Sequence, residues 1–377
     1  MLRPIVLERP GAVHFGRDVA LEAGRFAERR GLARTLVIAD PFNRERIDLL
    51  GLPGRIEVFA IPGGEPDALV LGNARLAADA FRPDLIVGFG GGSAMDLAKL
   101  VAVLTGTDLP FAEAARATSR AVALIQVPTT AGTGSEAGTR ALVTVPETGA
   151  KLAVESPQML ADTAVLDPAM TATLPPRLTA ETGIDALAHC VESYTSGRAH
   201  PAIDIYAREG IRLVGRYLRR AVEAGDDLEA RAGMALASLY GGYCLGPVNT
   251  TAGHAVAYPL STRHKVAHGR ANALIFPHVL AFNAPATPVR TRDVIDLLGL
   301  DYAGEQAVFD AAYGFCRDLG IDMAAGSDGI AMPDIAPMAA EASTIRRLLD
   351  NNPREITAQD IAQIYRAALW ESRLSRP

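Results

Sequence analysis

Short runs of β-branched and aliphatic residues alternate with helix-like stretches over about the first 170 residues, and this alternation restricts the possible folds more than any other feature. Thr35–Ala39, Ile56–Phe59, Leu85–Phe89 and Ala121–Val127 have the length and composition of buried strands. Between them, Asp67–Phe81 and Ala94–Leu104 carry apolar residues at helical spacing. Buried strands separated by helices need both sheet faces covered, which predicts a parallel α/β sheet with ligands at its strand C-terminal ends. After Asp167 the pattern changes. Leu174-Pro-Pro-Arg-Leu178 reads as a breaker-rich joint, and helical pattern then runs almost to the end, through Thr182–Tyr194, Ala202–Ala224, Leu228–Leu245, Gln306–Leu319 and Ala358–Ser372. A chain of 377 residues exceeds one ordinary core. The expectation is an α/β domain over residues 1–173 and an all-helical domain over 174–377.

The charge balance removes several function classes. A net charge of −6 without any basic block argues against nucleic acid or an anionic membrane as a partner. No stretch holds the roughly 18 uninterrupted apolar residues of a membrane span. The opening residues break their apolar run with Arg3, Glu8 and Arg9 and do not read as a signal peptide. Cys190, Cys244 and Cys316 are scattered and form neither a disulfide framework nor a CxxC site. That usage suits a reducing cytoplasm, with Cys190 packing as a small apolar residue.

Two glycine-rich loops follow strands. Gly88-Phe-Gly-Gly-Gly-Ser-Ala-Met-Asp-Leu-Ala-Lys99 leaves a strand and opens a helix, so backbone N–H groups and a helix dipole can meet a pyrophosphate. The loop follows a later strand than the usual first βα turn, which excludes an ordinary Rossmann domain. Pro128-Thr-Thr-Ala-Gly-Thr-Gly-Ser-Glu136 places four hydroxyls at another strand end, suited to phosphate, ribose or carboxamide. Asp40, ending Thr35–Ala39, can accept from ribose hydroxyls and would repel a 2′-phosphate, favouring NAD over NADP.

The helical half carries a different chemistry. Asp185 and His189 stand at i,i+4, on one helix face one turn apart, with Gly183 read as marking the helix start. His254 and His268 follow. One carboxylate with imidazoles suits Fe(II) or Zn(II), and the ligand set alone does not separate them.

These blocks together resemble the iron-containing (group III) alcohol dehydrogenase family. Gly90–Lys99 matches GGGSxxDxxK, Pro128–Glu136 matches PTTxGTGSE, Gly183–His189 matches GxDALxH, and Asn352-Pro-Arg354 matches a terminal NPR. The resemblance runs from about Val13 to about Leu369. It implies an N-terminal dinucleotide-binding domain, a helical C-terminal domain and an active site in the cleft between them. By motif, Asp185, His189, His254 and His268 would ligate the metal. Asp40, Gly90, Gly91, Gly92, Ser93, Thr129, Thr130 and Lys151 would line NAD, with Asp96 and Lys99 near its ribose or nicotinamide end. Homodimers or larger assemblies are common in the family.

Two departures stand out. Many relatives place a His four residues after the third ligand as a proton relay, where this chain has Tyr258. A phenol both donates and accepts, but its ordinary pKa near 10 makes it a poorer carrier near neutrality. Ala267 replaces a Pro often found before the last ligand. His264, four residues before His268, could replace a proposed ligand or line the substrate pocket, and His278 could face the cleft, whereas His14 and His200 read as structural. Arg140 lies in a segment that the resemblance places beside the pocket, where a guanidinium would hold an anionic group. The expected reaction is hydride transfer between nicotinamide and a small primary alcohol or aldehyde, including an ω-hydroxy acid or semialdehyde. The alternatives are a hydroxyacid–oxoacid transhydrogenase with retained NAD and a maleylacetate reductase-like enzyme. A dehydroquinate synthase would need a phosphate-binding Lys/Arg cluster, and no lysine occurs between Lys151 and Lys265.

Overall fold

The computed structural model describes residues 3–62, 66–145, 151–301, 304, 307–324 and 329–369, with the Lys151 side chain outside the description. The chain divides into two compact units, Val6–Thr173 and Leu174–Pro377, the second also taking Met1–Ile5. Arg3 explains that assignment. Its guanidinium donates to the carbonyls of Arg198 and Pro247, at 2.8 and 2.7 Å, so the α/β unit begins after residue 5 rather than at residue 1.

The first unit contains β1 (Val13–Phe15), α1 (Glu22–Arg30), β2 (Arg34–Ala39), α2 (Pro41–Arg44), β3 (Arg55–Ala60), α3 (Ala68–Phe81), β4 (Leu85–Gly90) and α4 (Gly92–Leu104). β5 (Ala123–Pro128), β6 (Arg140–Thr144), β7 (Lys151–Glu155) and β8 (Thr163–Leu166) complete it. Six strands form one parallel sheet in the order β1-β8-β5-β4-β2-β3, and β6 and β7 form an antiparallel pair. Alternation sorts the strand residues by face. Leu36, Ile38, Ile86 and Leu124 share a core with Leu71, Ala74 and Leu97 of α3 and α4. Val37, Ala39, Val87, Phe89 and Ile125 pack on the other side with Phe26 and Ala27 of α1. Both faces are covered, which is why these strands read as continuous apolar runs.

Strand order also fixes where a ligand belongs. From β2 the chain moves outward to β3, whereas from β4 it moves the opposite way to β5. The C-terminal ends of β2 and β4 therefore flank a topological switch point, the usual binding crevice of an open parallel sheet.

The second unit is helical among its described residues: α5 (Pro176–Thr195), α6 (Pro201–Glu223), α7 (Leu228–Leu245), α8 (Ala252–His264), α9 (His268–Asn283), α10 (Pro288–Leu297), α11 (Val308–Asp318), α12 (Ile335–Ser343), α13 (Arg346–Leu349) and α14 (Ala358–Leu369). Two expectations change here. The joint at Leu174–Leu178 opens a helix instead of separating elements, because Pro175 is the N-cap and Pro176 occupies the first helical position, where a missing N–H costs nothing. Gly183 lies inside α5, not at its start. A Cβ there would stand 2.2 Å from Leu218 Cδ1 of α6, so the glycine serves close helix packing. Every residue from Gly183 to Thr195 is buried, which makes α5 the central helix of the unit.

Candidate metal centre and cofactor loops

Asp185 and His189 project from the buried stretch of α5, His254 from the first turn of α8, and His268 opens α9. Lys265, in a left-handed conformation, closes α8, and Val266 and Ala267 lead straight into α9, so the turn returns His268 to the face holding His254. Asp185 Oδ1 lies 3.8, 3.4 and 3.5 Å from the Nε2 atoms of His189, His254 and His268. Ligand bonds of about 2.0–2.2 Å on a tetrahedron separate ligand atoms by roughly 3.4 Å, so these spacings fit a shared divalent ion. Asp185, His189 and His254 form a mutually close buried set. His268 joins through Asp185 and is the most exposed of the four, at 22%.

The surrounding residues orient the ligands. Glu192, on the same face of α5, takes His254 Nδ1 at 2.5 Å, leaving Nε2 turned toward Asp185. Its Oε2 accepts from Thr251 N and Oγ1, at 2.7 and 3.0 Å, and from His254 N at 3.3 Å. Asn272, one turn along α9 from His268, donates to Asp185 Oδ1 at 2.7 Å and stands 3.3 Å from the Nε2 atoms of His254 and His268. Burial works to raise the Asp185 carboxyl, but His189, His268 and His254 hold it well below the usual carboxylate range. Burial likewise opposes charge on His254, yet Glu192 and Asp185 bring its ring up to about 10. Sequence reasoning missed Glu192 and Asn272. Asp185, His189 and Glu192 follow an i, i+4, i+7 pattern that marks one helix face, so the first of these was legible.

In the α/β unit, the switch point brings Asp40 to the first glycine loop. A Cβ at Gly90 would lie 3.1 Å from Asp40 Oδ2. Asp40 caps α2, accepting from Asn43 N at 2.9 Å and Asn43 Nδ2 at 2.6 Å, and Asn43 in turn donates to Thr129 Oγ1 at 3.1 Å. Thr129 N donates to Gly90 O, and Thr130 lies against Gly91, so both loops meet at these strand ends. Gly91 is the N-cap of α4 and Gly92 and Ser93 form its first turn, with no side chain capping it. Uncapped N–H groups at a partly open helix start suit a pyrophosphate.

Asp96 and Lys99 brace the loops. Lys99, buried, donates to Ser135 Oγ at 2.8 Å and to the Arg140 carbonyl at 2.7 Å. Asp96 accepts from Ser135 Oγ at 2.5 Å and from Leu142 N at 2.9 Å, tying α4 to the second loop and to β6. Burial pushes the neighbouring Glu136 carboxyl up to about 7, against the pull of its backbone N–H and Lys99. Lys151 opens β7, and its side chain lies outside the described residues.

The remaining candidates separate. Tyr258, buried on α8, has its ring 6.4 Å from that of His254 and 6.0 Å from that of His268. His264 is the last residue of α8 and stands outside the convergent set. Arg140 pairs with Glu155 Oε2 at 2.9 Å, its register partner across the β6–β7 hairpin. His278 packs against Phe309 with ring centroids 4.8 Å apart, and burial lowers it to about 4. His200 caps α6, and Cys190 packs where Gly210 leaves room.

Comparison with known proteins identifies the family. The family description for iron-containing alcohol dehydrogenase matches residues 10–168, and that for the C-terminal part of the Fe-containing alcohol dehydrogenase family matches residues 179–369. Long-chain-alcohol dehydrogenase 1 of Geobacillus thermodenitrificans (strain NG80-2) is 35% identical over 361 residues, covering 90% of this chain and 91% of that protein. Sulfoacetaldehyde reductase of Bilophila wadsworthia (strain 3_1_6) is 35% identical over 301 residues, 77% of this chain and 78% of the relative. The crystal structure of sulfoacetaldehyde reductase from Bifidobacterium kashiwanohense in complex with NAD+ superimposes with a TM-score of 0.87 at 27% identity, covering 98% of this chain and 99% of the other. The chain belongs to the iron-containing alcohol dehydrogenase family and is an oxidoreductase.

Proposed function

We propose that the chain is an Fe(II)-dependent, NAD-linked dehydrogenase interconverting small primary alcohols and aldehydes. One observation carries this reading: a buried carboxylate oxygen faces three imidazole Nε2 atoms at 3.4–3.8 Å. Asp185, His189, His254 and His268 would hold the ion, which when bound polarises the substrate oxygen and stabilises developing alkoxide. Glu192 fixes the His254 ring, Asn272 holds the Asp185 carboxylate, and Tyr258 offers a phenol beside the rings that donates or accepts a proton at its oxygen. Hydride movement belongs to the nicotinamide, while the protein supplies position and field. No helix among the described residues is long and apolar enough to cross a membrane, and the three cysteines are free and buried. We place the enzyme in a reducing cytoplasm.

The test is NADH oxidation by anaerobically purified protein reloaded with Fe(II) or Zn(II), across short aldehydes. Fe(II)-dependent turnover supports the reading. Turnover with Zn(II) but not Fe(II) would replace the metal. No consumption of NADH, with activity on a hydroxyacid–oxoacid pair, would replace it with transhydrogenation.

Cofactor choice follows from Asp40. Asp40→Asn keeps an acceptor for the α2 cap and removes the charge that a 2′-phosphate would meet. The ratio of kcat/KM with NADPH to that with NADH should rise about tenfold or more. An unchanged ratio would take Asp40 out of cofactor selection.

A further inference from the structure

Arg347 stands on α13 outside the ligand set, yet close to it. Its guanidinium carbon lies 5.8 Å from the centre of the Tyr258 ring, and Nη2 is 3.5 Å from the phenol oxygen. The same ring sits 6.0 Å from His268 and 6.4 Å from His254. One aromatic side chain therefore separates this cation from the metal centre.

Its neighbours use their charges elsewhere. Arg346 pairs with Asp350 on its own helix, and Arg263 with Glu341. Arg354 bonds the Phe282 carbonyl and lies over the Phe282 ring. Among the described residues no carboxylate comes within ion-pair distance of Arg347, and Tyr258 is its side-chain partner. A guanidinium presents five N–H donors in a planar fork matched to carboxylate and sulfonate oxygens. Arg347 is exposed and reaches the ligand cluster only through the Tyr258 ring, which stands beside His254 and His268. Arg140, by contrast, has a carboxylate partner, Glu155 Oε2 at 2.9 Å from its Nη2.

We propose that Arg347, positioned by its contact to the Tyr258 oxygen, holds the anionic end of the substrate, a carboxylate or sulfonate a few carbons from the aldehyde. This rests on the dehydrogenase reading above and assigns the substrate class of that same site. A neutral aldehyde leaves the guanidinium in water, where it costs nothing. An anionic one gains charge-assisted hydrogen bonds that also aim its carbonyl at the ligand cluster.

The test compares metal-loaded wild type, Arg347→Gln and Arg347→Lys on succinic semialdehyde and sulfoacetaldehyde against propanal and butanal. Wild type should favour the anionic pair. Arg347→Gln should raise KM for both anions about 10- to 100-fold, with kcat changed little and the neutral substrates unaffected. Arg347→Lys should recover part of the loss, because charge remains without the fork. Inhibition by ethanesulfonate against butanal should weaken in parallel, a readout that a purely structural role would not move. Equal use of both classes by wild type, or equal effects of Arg347→Gln on both, would overturn the proposal while leaving the dehydrogenase intact. Absence of NADH oxidation with every aldehyde would overturn the dehydrogenase reading and this proposal with it.

Discussion

Asp185→Asn is expected to leave the chain folded, strip it of metal and lower aldehyde turnover by about 10³-fold or more, since a Lewis-acid metal contributes several kcal/mol to the transition state. The effect is large because Asp185 is the hub of the centre. Its Oδ1 faces three imidazole nitrogens and accepts from Asn272. Burial would favour a neutral carboxyl, but the three rings keep it ionised, so the fold presents one formal negative charge to an incoming cation. Asparagine keeps the volume and removes that charge. The measurement is metal content per chain after reloading, read beside thermal unfolding of the metal-free protein. A loss of metal with little change in unfolding temperature is the expected pair of results. Full metal content with normal turnover would remove Asp185 from the ligand set.

The legible parts of this fold are those whose environment is uniform along the chain. β2, β4 and β5 lie within about two residues of the expected strands because parallel strands covered on both faces are apolar throughout. The edge strand β3, exposed or half-buried along its length, was legible from Ile56, Val58 and Phe59. α3 and α4 were equally plain, with Asp67 capping α3 through its bond to the Val70 N–H. The strands that went unread were short or two-faced. β1 has three residues and β8, though buried throughout, only four, while β6 alternates its burial within a hairpin. Pro175 and Pro176 show a different ambiguity, since proline that breaks a helix interior also starts a helix well.

Site legibility followed sequence distance. Asp185 and His189 declared themselves by sharing one helix face, whereas His254 and His268 lie on two other helices and no spacing in the sequence ties them to that face. Asp96 and Lys99 belong to a cofactor-loop motif, yet their side chains face Ser135, the Arg140 carbonyl and the Leu142 N–H. The motif told which segment mattered without telling which side chains point at a ligand. Arg140 is the sharper case. Its partner Glu155 lies across a hairpin that the sequence did not reveal, so the ion pair that engages this cation was not legible.

Glu192→Gln should weaken metal binding by about 10- to 100-fold, the usual effect of removing a carboxylate that orients a ligating histidine. The bond inventory explains why an isosteric amide fails here. Glu192 receives four donors on two oxygens: His254 Nδ1 on Oε1, and Thr251 N, Thr251 Oγ1 and His254 N on Oε2. Glutamine has one oxygen. Turned one way, its NH2 faces the Thr251 and His254 N–H groups; turned the other, it faces His254 Nδ1 and favours the tautomer that points a proton at the ion. The first choice leaves buried donors unsatisfied at about 1–3 kcal/mol, and the second disables a ligand. The two costs separate experimentally, because calorimetric titration of metal into the metal-free protein reads the ligand while unfolding of that same protein reads the packing. Glu192→Asp keeps both oxygens on a shorter arm and should retain more affinity than Glu192→Gln. If Glu192→Gln lowers the unfolding temperature yet binds metal as tightly as wild type, Glu192 merely anchors the start of α8. A drop in affinity beyond the change in fold stability makes it the residue that aims His254.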